Sequence, residues 1–164
     1  MVVNEESLIT DEMRATIGKE GDPTRVEVDK TTIRWFARAV GHTDLIFYDE
    51  EYARSRGHRS IVAPPGFLGQ PVYIPQQPSG ATGARGAPRL PGMKVTRALN
   101  GGTEFEYYGQ EVCAGDVLKR ITKILDLQER SGSLGKMLII TTESRFYDDR
   151  DKLVASERST SIVY

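Results

Sequence analysis

The residues best suited to chemistry lie close together in the stretch Gly41 to Asp49, Gly-His-Thr-Asp-Leu-Ile-Phe-Tyr-Asp. His42 is one of only two histidines. An imidazole titrates near neutral pH and makes a natural general base, and a carboxylate at Asp44 can orient it. The same two residue types also serve as an ordinary loop hydrogen bond or helix cap, with no catalytic consequence. Further along, Arg54, Arg56 and Arg59 form a basic cluster. Guanidinium groups grip phosphate oxygens in pairs, although a solvated helix end accounts for the same cluster. His58 beside them reads as a solvated turn. Cys113 is the only cysteine, so no internal disulfide is available and no Cys/His grouping holds a metal. It is expected to pack as a small side chain. Asp116 in Gly115-Asp116 is turn chemistry, and Lys119, Arg120 and Lys123 read as one wet face of a strand. No metal and no cofactor are expected.

The elements that position these residues follow from periodicity and caps. Ser7 to Gly18 has a capping hydroxyl, acids early and a closing glycine, which predicts a helix over residues 8–17. Residues 24–28 alternate and predict a strand. Asp29 or Thr31 then caps a helix through Ile33, Trp35, Phe36, Ala39 and Val40. Asp49 to Arg56 predicts a short helix that carries acids at its start and arginines at its end. From Ser60 to Leu68 the chain is apolar, and Pro64-Pro65 suits the opening of a buried helix running from Gly66 to Gln70. Residues 75–92, rich in Pro and Gly, are expected to form a mobile loop. The second half predicts strands at 102–108, 116–127, 136–147 and 153–163, with turns at 129–135 and 148–151. Helices followed by a meander define an α+β domain spanning residues 1–164.

Composition narrows the partners. Lys and Arg number 22 against 23 Asp and Glu, so no overall field draws the chain to nucleic acid or an anionic membrane. Neither a signal-peptide pattern nor a membrane-spanning run is present, and a cytoplasmic protein is expected. An apolar fraction of 38% is low for a self-sufficient globule, which makes a partner chain plausible.

Phe36-Ala37, Gly41, Asp49 and Ala53 together resemble the hydratase signature of the MaoC-like hydratase and dehydratase family, roughly F-A-x-x-x-G-D-x-N-P-I-H-x-D. Ala63-Pro-Pro-Gly-Phe-Leu68, Leu99 to Tyr107 and Gly115-Asp116 resemble the variant that forms the N-terminal half of double-hot-dog dehydratases. The similarity runs from about residue 8 onward. It implies a hot-dog fold, a long antiparallel sheet wrapped around a central helix, and action on 3-hydroxyacyl or 2-enoyl thioesters of coenzyme A or an acyl carrier.

The resemblance also locates a loss. Catalytic members place an aspartate after the glycine and a histidine five residues later, and here those positions hold His42 and Phe47, with Asp44-Leu45 in place of Asn-Pro. Phe47 neither donates nor accepts a proton. The glycine matching Gly66 is implied to bind the thioester carbonyl through its N–H, with Phe47, Phe67 and Leu68 lining an acyl tunnel, and Arg54, Arg56 and Arg59 near phosphates of the carrier. The resemblance therefore implies a subunit that shapes the tunnel while a catalytic MaoC-like chain supplies the Asp and His. Two alternatives stay open: a homodimer using His42 and Asp44 for hydration or thioester hydrolysis, and a non-catalytic acyl-thioester binding module.

Overall fold

The computed structural model describes residues 7–72, 88–93, 97–132 and 135–164. The elements are α1 (Asp11–Arg14), β1 (Thr24–Glu27), α2 (Lys30–Ala39), a 3-10 turn (Leu45–Phe47), α3 (Glu50–Ser55), β2 (Gln70–Pro71), β3 (Ala98–Tyr107), β4 (Val117–Gly132), β5 (Gly135–Tyr147) and β6 (Leu153–Val163). Among the described residues the strands form one antiparallel sheet in the order β2-β1-β4-β5-β6-β3. The long strands β4, β5 and β6 lie side by side through continuous antiparallel ladders, and successive residues of each point to opposite faces of the sheet except at register shifts. At β4 a bulge between Ile124 and Asp126 shifts the register. It lets Leu127 regain the inner face that Leu118 occupies, despite their odd spacing.

Two apolar clusters cover the inner face. One gathers Val26, Val28, Ile33, Ile61, Phe67, Leu68, Leu118, Phe146 and Ala155, and the other gathers Ile9, Met13, Leu90, Leu127, Leu138, Ile140 and Val163. Helix α2 enters the first cluster through Ile33, which is fully buried, while Trp35 on its other face is 69% exposed. Ile33→Ala is therefore expected to cost ~2–5 kcal/mol in chemical denaturation, and Trp35→Ala to stay within about 0.5 kcal/mol.

Several expectations change in the folded chain. The first helix shrinks to one turn, capped by Thr10 rather than Ser7. The chain after it is drawn onto β4 by bridges Ile17–Ile124 and Glu20–Lys123, and Ser7 donates instead to Glu129. The expected turn over 129–135 is mostly strand, since β4 and β5 pair as far as Gly132–Gly135, and residues 133–134 lie outside the described ones. Most of the expected mobile loop, residues 75–87, also lies outside them. Leu90, near its end, is buried in the second cluster.

The largest correction concerns the helix expected from Gly66 to Gln70. Phe67 N–H donates to the Pro64 carbonyl at 3.0 Å, and Gly66 has φ +90°, so Pro64-Pro65-Gly66-Phe67 is a turn with Pro at its second and a left-handed Gly at its third position. Gln70 and Pro71 then pair with β1. The sheet thus curls against α2, and the segment expected to supply the central helix is a turn and an edge strand.

Candidate functional site

The Gly41–Asp49 loop is built from the two helices beside it. Asp29 caps α2 by accepting from the N–H groups of Thr31 and Thr32, and its bonds to Thr32 hold its carboxyl below the usual range. At the other end His42 N–H donates to the Ala37 carbonyl at 2.9 Å and Gly41 N–H to Arg38 at 3.3 Å, a Schellman closure. His58 follows α3 in the same way, donating its N–H to the Ala53 carbonyl at 3.1 Å. Both histidines therefore stand at the position just past a helix-ending glycine.

Within the loop, the side chains of His42 and Asp44 are not brought together. Asp44 is exposed and accepts from Ile46 N–H at 3.0 Å as the cap of the 3-10 turn. The His42 ring lies 5.1 Å from the ring of Phe47, centroid to centroid, and its carbonyl accepts from the Tyr48 hydroxyl at 2.6 Å. Among the described residues no hydrogen bond joins His42 to a carboxylate. Phe47 itself is buried. The loop is a folded, internally capped structure whose aromatic ring occupies the position where the family pattern has a histidine.

The arginines are largely engaged. Arg54 Nη2 meets Glu50 at 2.9 Å, and Glu50 also accepts from Lys30 and from Ser60. Arg59 forks onto Asp116 with both contacts at 2.9 Å and also donates to the Glu111 carbonyl at 3.2 Å. Asp116 raises the Arg59 pKa and its other lone pairs accept from Cys113 N–H, so this aspartate clamps the turn before β4. Arg56, exposed, ends α3. Since Arg59 is 59% exposed, Arg59→Ala is expected to cost about 1 kcal/mol by urea denaturation. His58 is half-buried against Glu111 at 2.6 Å rather than solvated. Cys113 is fully buried as expected, and burial, reinforced by Glu111, pushes its thiol up to about 11, so it is no nucleophile at neutral pH.

Gly66 sits at the junction of turn and sheet. A Cβ there would lie 3.4 Å from Phe36 and 3.8 Å from Phe105, so an aromatic wall stands against its backbone. Its N–H donates to the Tyr107 hydroxyl at 2.7 Å. Burial raises the Tyr107 pKa, opposed by the Gly66 bond and reinforced by the charge of Glu157. Phe67 and Leu68 are core residues, with the Phe67 ring 5.4 Å from Phe36.

Glu157 on the sheet escaped the sequence reading, and Arg120 departs from the wet face expected for it. Arg120 does not share a face with Lys119 and Lys123. It stands one residue out of step with them, on the inward side of β4 with Leu118 and Thr122. Glu157 on β6 also points inward, one strand away from Phe105. The alternation of β4 ahead of its bulge, and of β6, was the signal that could have found both.

A sheet of long antiparallel strands packed onto one helix, with a capped loop and a glycine turn beside it, defines a hot-dog domain of the MaoC-like hydratase and dehydratase type. Residues 15–157 match the family model described as FAS1-like, dehydratase domain region, and the chain belongs to that family. A UPF0336 protein of Streptomyces griseus is 32% identical over 85% of this chain and 87% of its own. A probable enoyl-CoA hydratase alpha subunit of Thermomonospora curvata is 26% identical over 89% of this chain, which spans about half, 49%, of that relative. In structure, the chain resembles one chain of the C-terminally truncated HadBC (3R-hydroxyacyl-ACP dehydratase) complex of Mycobacterium tuberculosis, with TM-score 0.63 at 21% identity, covering 90% of this chain and 96% of that chain. Among the described residues no helix is long and apolar enough to cross a membrane.

Proposed function

We propose that the chain is the non-catalytic subunit of a hydro-lyase acting on 2-enoyl or 3-hydroxyacyl thioesters, and that a second MaoC-like chain supplies the Asp and His. The observation that carries this reading is the loop itself: its fold is intact and capped, yet Phe47 is buried where a proton-transfer group is needed and the His42 ring packs on it. Such a loop supports a role as scaffold and wall rather than as acid and base.

The partner's place is the free edge of β3. That strand ends the sheet, runs Ala98–Tyr107 with most residues exposed, and presents Leu99 and Tyr107 at 51% and 40% exposure. A long exposed edge strand invites pairing unless another chain covers it, and the resemblance to a chain of a heteromeric dehydratase complex supports the presence of a second chain. The acyl thioester then lies between the two chains, near Gly66 and Phe47. An assay of crotonyl-CoA hydration, by the chain alone and after co-expression with a MaoC-like chain bearing an intact Gly-Asp-x-Asn-Pro-x-His loop, tests the reading. Turnover by the chain alone that His42→Ala abolishes overturns it.

A further inference from the structure

Aromatic rings gather around the Gly66 amide. Phe36 of α2 and Phe105 of β3 stand 3.4 and 3.8 Å from where a Cβ would lie on that glycine, and Tyr107 stacks beside Phe105 with 6.4 Å between centroids and 24° between ring planes. Within this group the Gly66 N–H finds its acceptor, the Tyr107 hydroxyl at 2.7 Å. A backbone amide has a single proton to donate, and here it is already taken.

The hydroxyl is in the opposite position. It has one proton and two lone pairs. Gly66 fills one lone pair, and among the described residues no acceptor takes the proton. Burial and the charge of Glu157 raise the Tyr107 pKa, so the phenol stays protonated at neutral pH. Tyr107 is nonetheless 40% exposed, which leaves that donor open to a ligand. Its neighbour gives the contrast: the Tyr108 hydroxyl donates to Glu106 at 2.9 Å and also meets Ser156 at 3.2 Å. A hydroxyl that accepts from an amide is also polarised by it and donates the more strongly, as in any chain of hydrogen bonds.

The place of Tyr107 in the sheet matters as well. It is the last residue of β3, the strand at the free edge, and it pairs with Ala155, a buried member of the cluster that holds Phe67. Its ring therefore lies on the inner face of the sheet, at the edge where the second chain is placed. A ligand held between the two chains beside Gly66 meets the hydroxyl before it meets the amide.

We infer that Tyr107, and not the Gly66 amide, is the group that this chain presents to a thioester carbonyl, its hydroxyl donating to the carbonyl oxygen while it accepts from the Gly66 N–H. The inference rests on the reading of the chain as an acyl-thioester protein. It needs no movement of the ring. Direct binding of the carbonyl by the amide requires the hydroxyl to leave first, so the two arrangements give Tyr107→Phe opposite effects: loss of a donor in one, removal of a plug in the other.

The test compares butyryl-CoA, which lacks the double bond and is bound without turnover, with S-butyl-CoA, the thioether with a methylene in place of the carbonyl. Both are titrated calorimetrically into the full chain, alone and in complex with the partner that restores crotonyl-CoA hydration. The thioester is expected to bind about fivefold more tightly than the thioether, the value of one neutral hydrogen bond. Tyr107→Phe should bring that ratio close to one and leave thioether binding unchanged, which a merely structural role for the tyrosine does not predict. A wild-type ratio of one, a ratio that survives the substitution, or one that rises with it overturns the inference and leaves the functional reading standing. If neither compound binds in either form, the functional reading falls and takes the inference with it. Should the variant fail to fold, the carbon-13 resonance of Tyr107 Cζ in the wild-type protein decides. It is expected to shift with butyryl-CoA and not with S-butyl-CoA, and an equal response to both, or none, overturns the inference.

Discussion

Purified alone, the chain is expected to hydrate crotonyl-CoA no faster than buffer, and His42→Ala is expected to change nothing. Positioned acid–base groups contribute typically 10²–10⁴-fold to a rate, and this loop has none in place. Asp44 is spent on the Ile46 amide, and the His42 ring rests on Phe47. Without an orienting partner, an imidazole in such a setting has no fixed tautomer or direction toward a substrate. Co-expression with a MaoC-like chain carrying the intact loop should raise turnover by at least about 10²-fold, with the dependence on Asp and His falling on that chain. Stopped or continuous assays following loss of the enoyl-thioester absorbance measure both arms. Activity that appears in the isolated chain and disappears with His42→Ala would instead establish the homodimeric alternative.

Gly69→Ala is expected to be the most damaging single-methyl change to stability. The residue joins the Pro64–Phe67 turn to β2, with φ +97°, and a Cβ there would lie 2.8 Å from the Glu27 carbonyl oxygen and 3.0 Å from its carbon. Both obstacles are backbone atoms of β1 and cannot swing aside. The methyl group forces either the β1–β2 pairing at Glu27–Gln70 apart or the Gly69 backbone into another basin. Left-handed backbone costs roughly 1–2 kcal/mol for a residue with a side chain, and overpacking adds ~1–3 kcal/mol. The sum, about 3 kcal/mol or more, is a large share of a domain's typical 5–15 kcal/mol. Gly57→Ala is the matched control: φ is +93° and no neighbour lies within 4 Å, so only the backbone share should appear. Urea denaturation of both variants separates the two contributions. Equal losses would show that close approach at β1 does not matter.

The two results bear on different parts of the molecule, and so did the sequence. Caps and periodicity located α2, α3 and the long strands well, because Asp29, Asp49 and the alternating residues of β4 to β6 act through their immediate neighbours. The Ala-Pro-Pro-Gly stretch misled for a physical reason. Pro at the start of a helix and Pro-Gly in a turn use the same fixed φ, and only the positive φ of Gly66 and the pairing of Gln70 with β1 separate them. The partners of the arginine cluster were only half legible, since Arg54 is held by Glu50 four residues away but Arg59 by Asp116, far along the chain.

By itself, the sequence determined the order of α2, α3 and the four long strands, the family pattern around Gly41, and the absence of a histidine at Phe47, since residue identity at a motif position needs no coordinates. Only the tertiary structure decided which groups meet. It set Tyr107 on the Gly66 amide, left His42 without a bonded carboxylate among the described residues, and brought Arg120 and Glu157, from strands on either side of β5, to the lining of one cavity. Those pairings are fixed by strand register and by curling of the sheet, which arise from cooperative packing across the whole domain rather than from local chemistry.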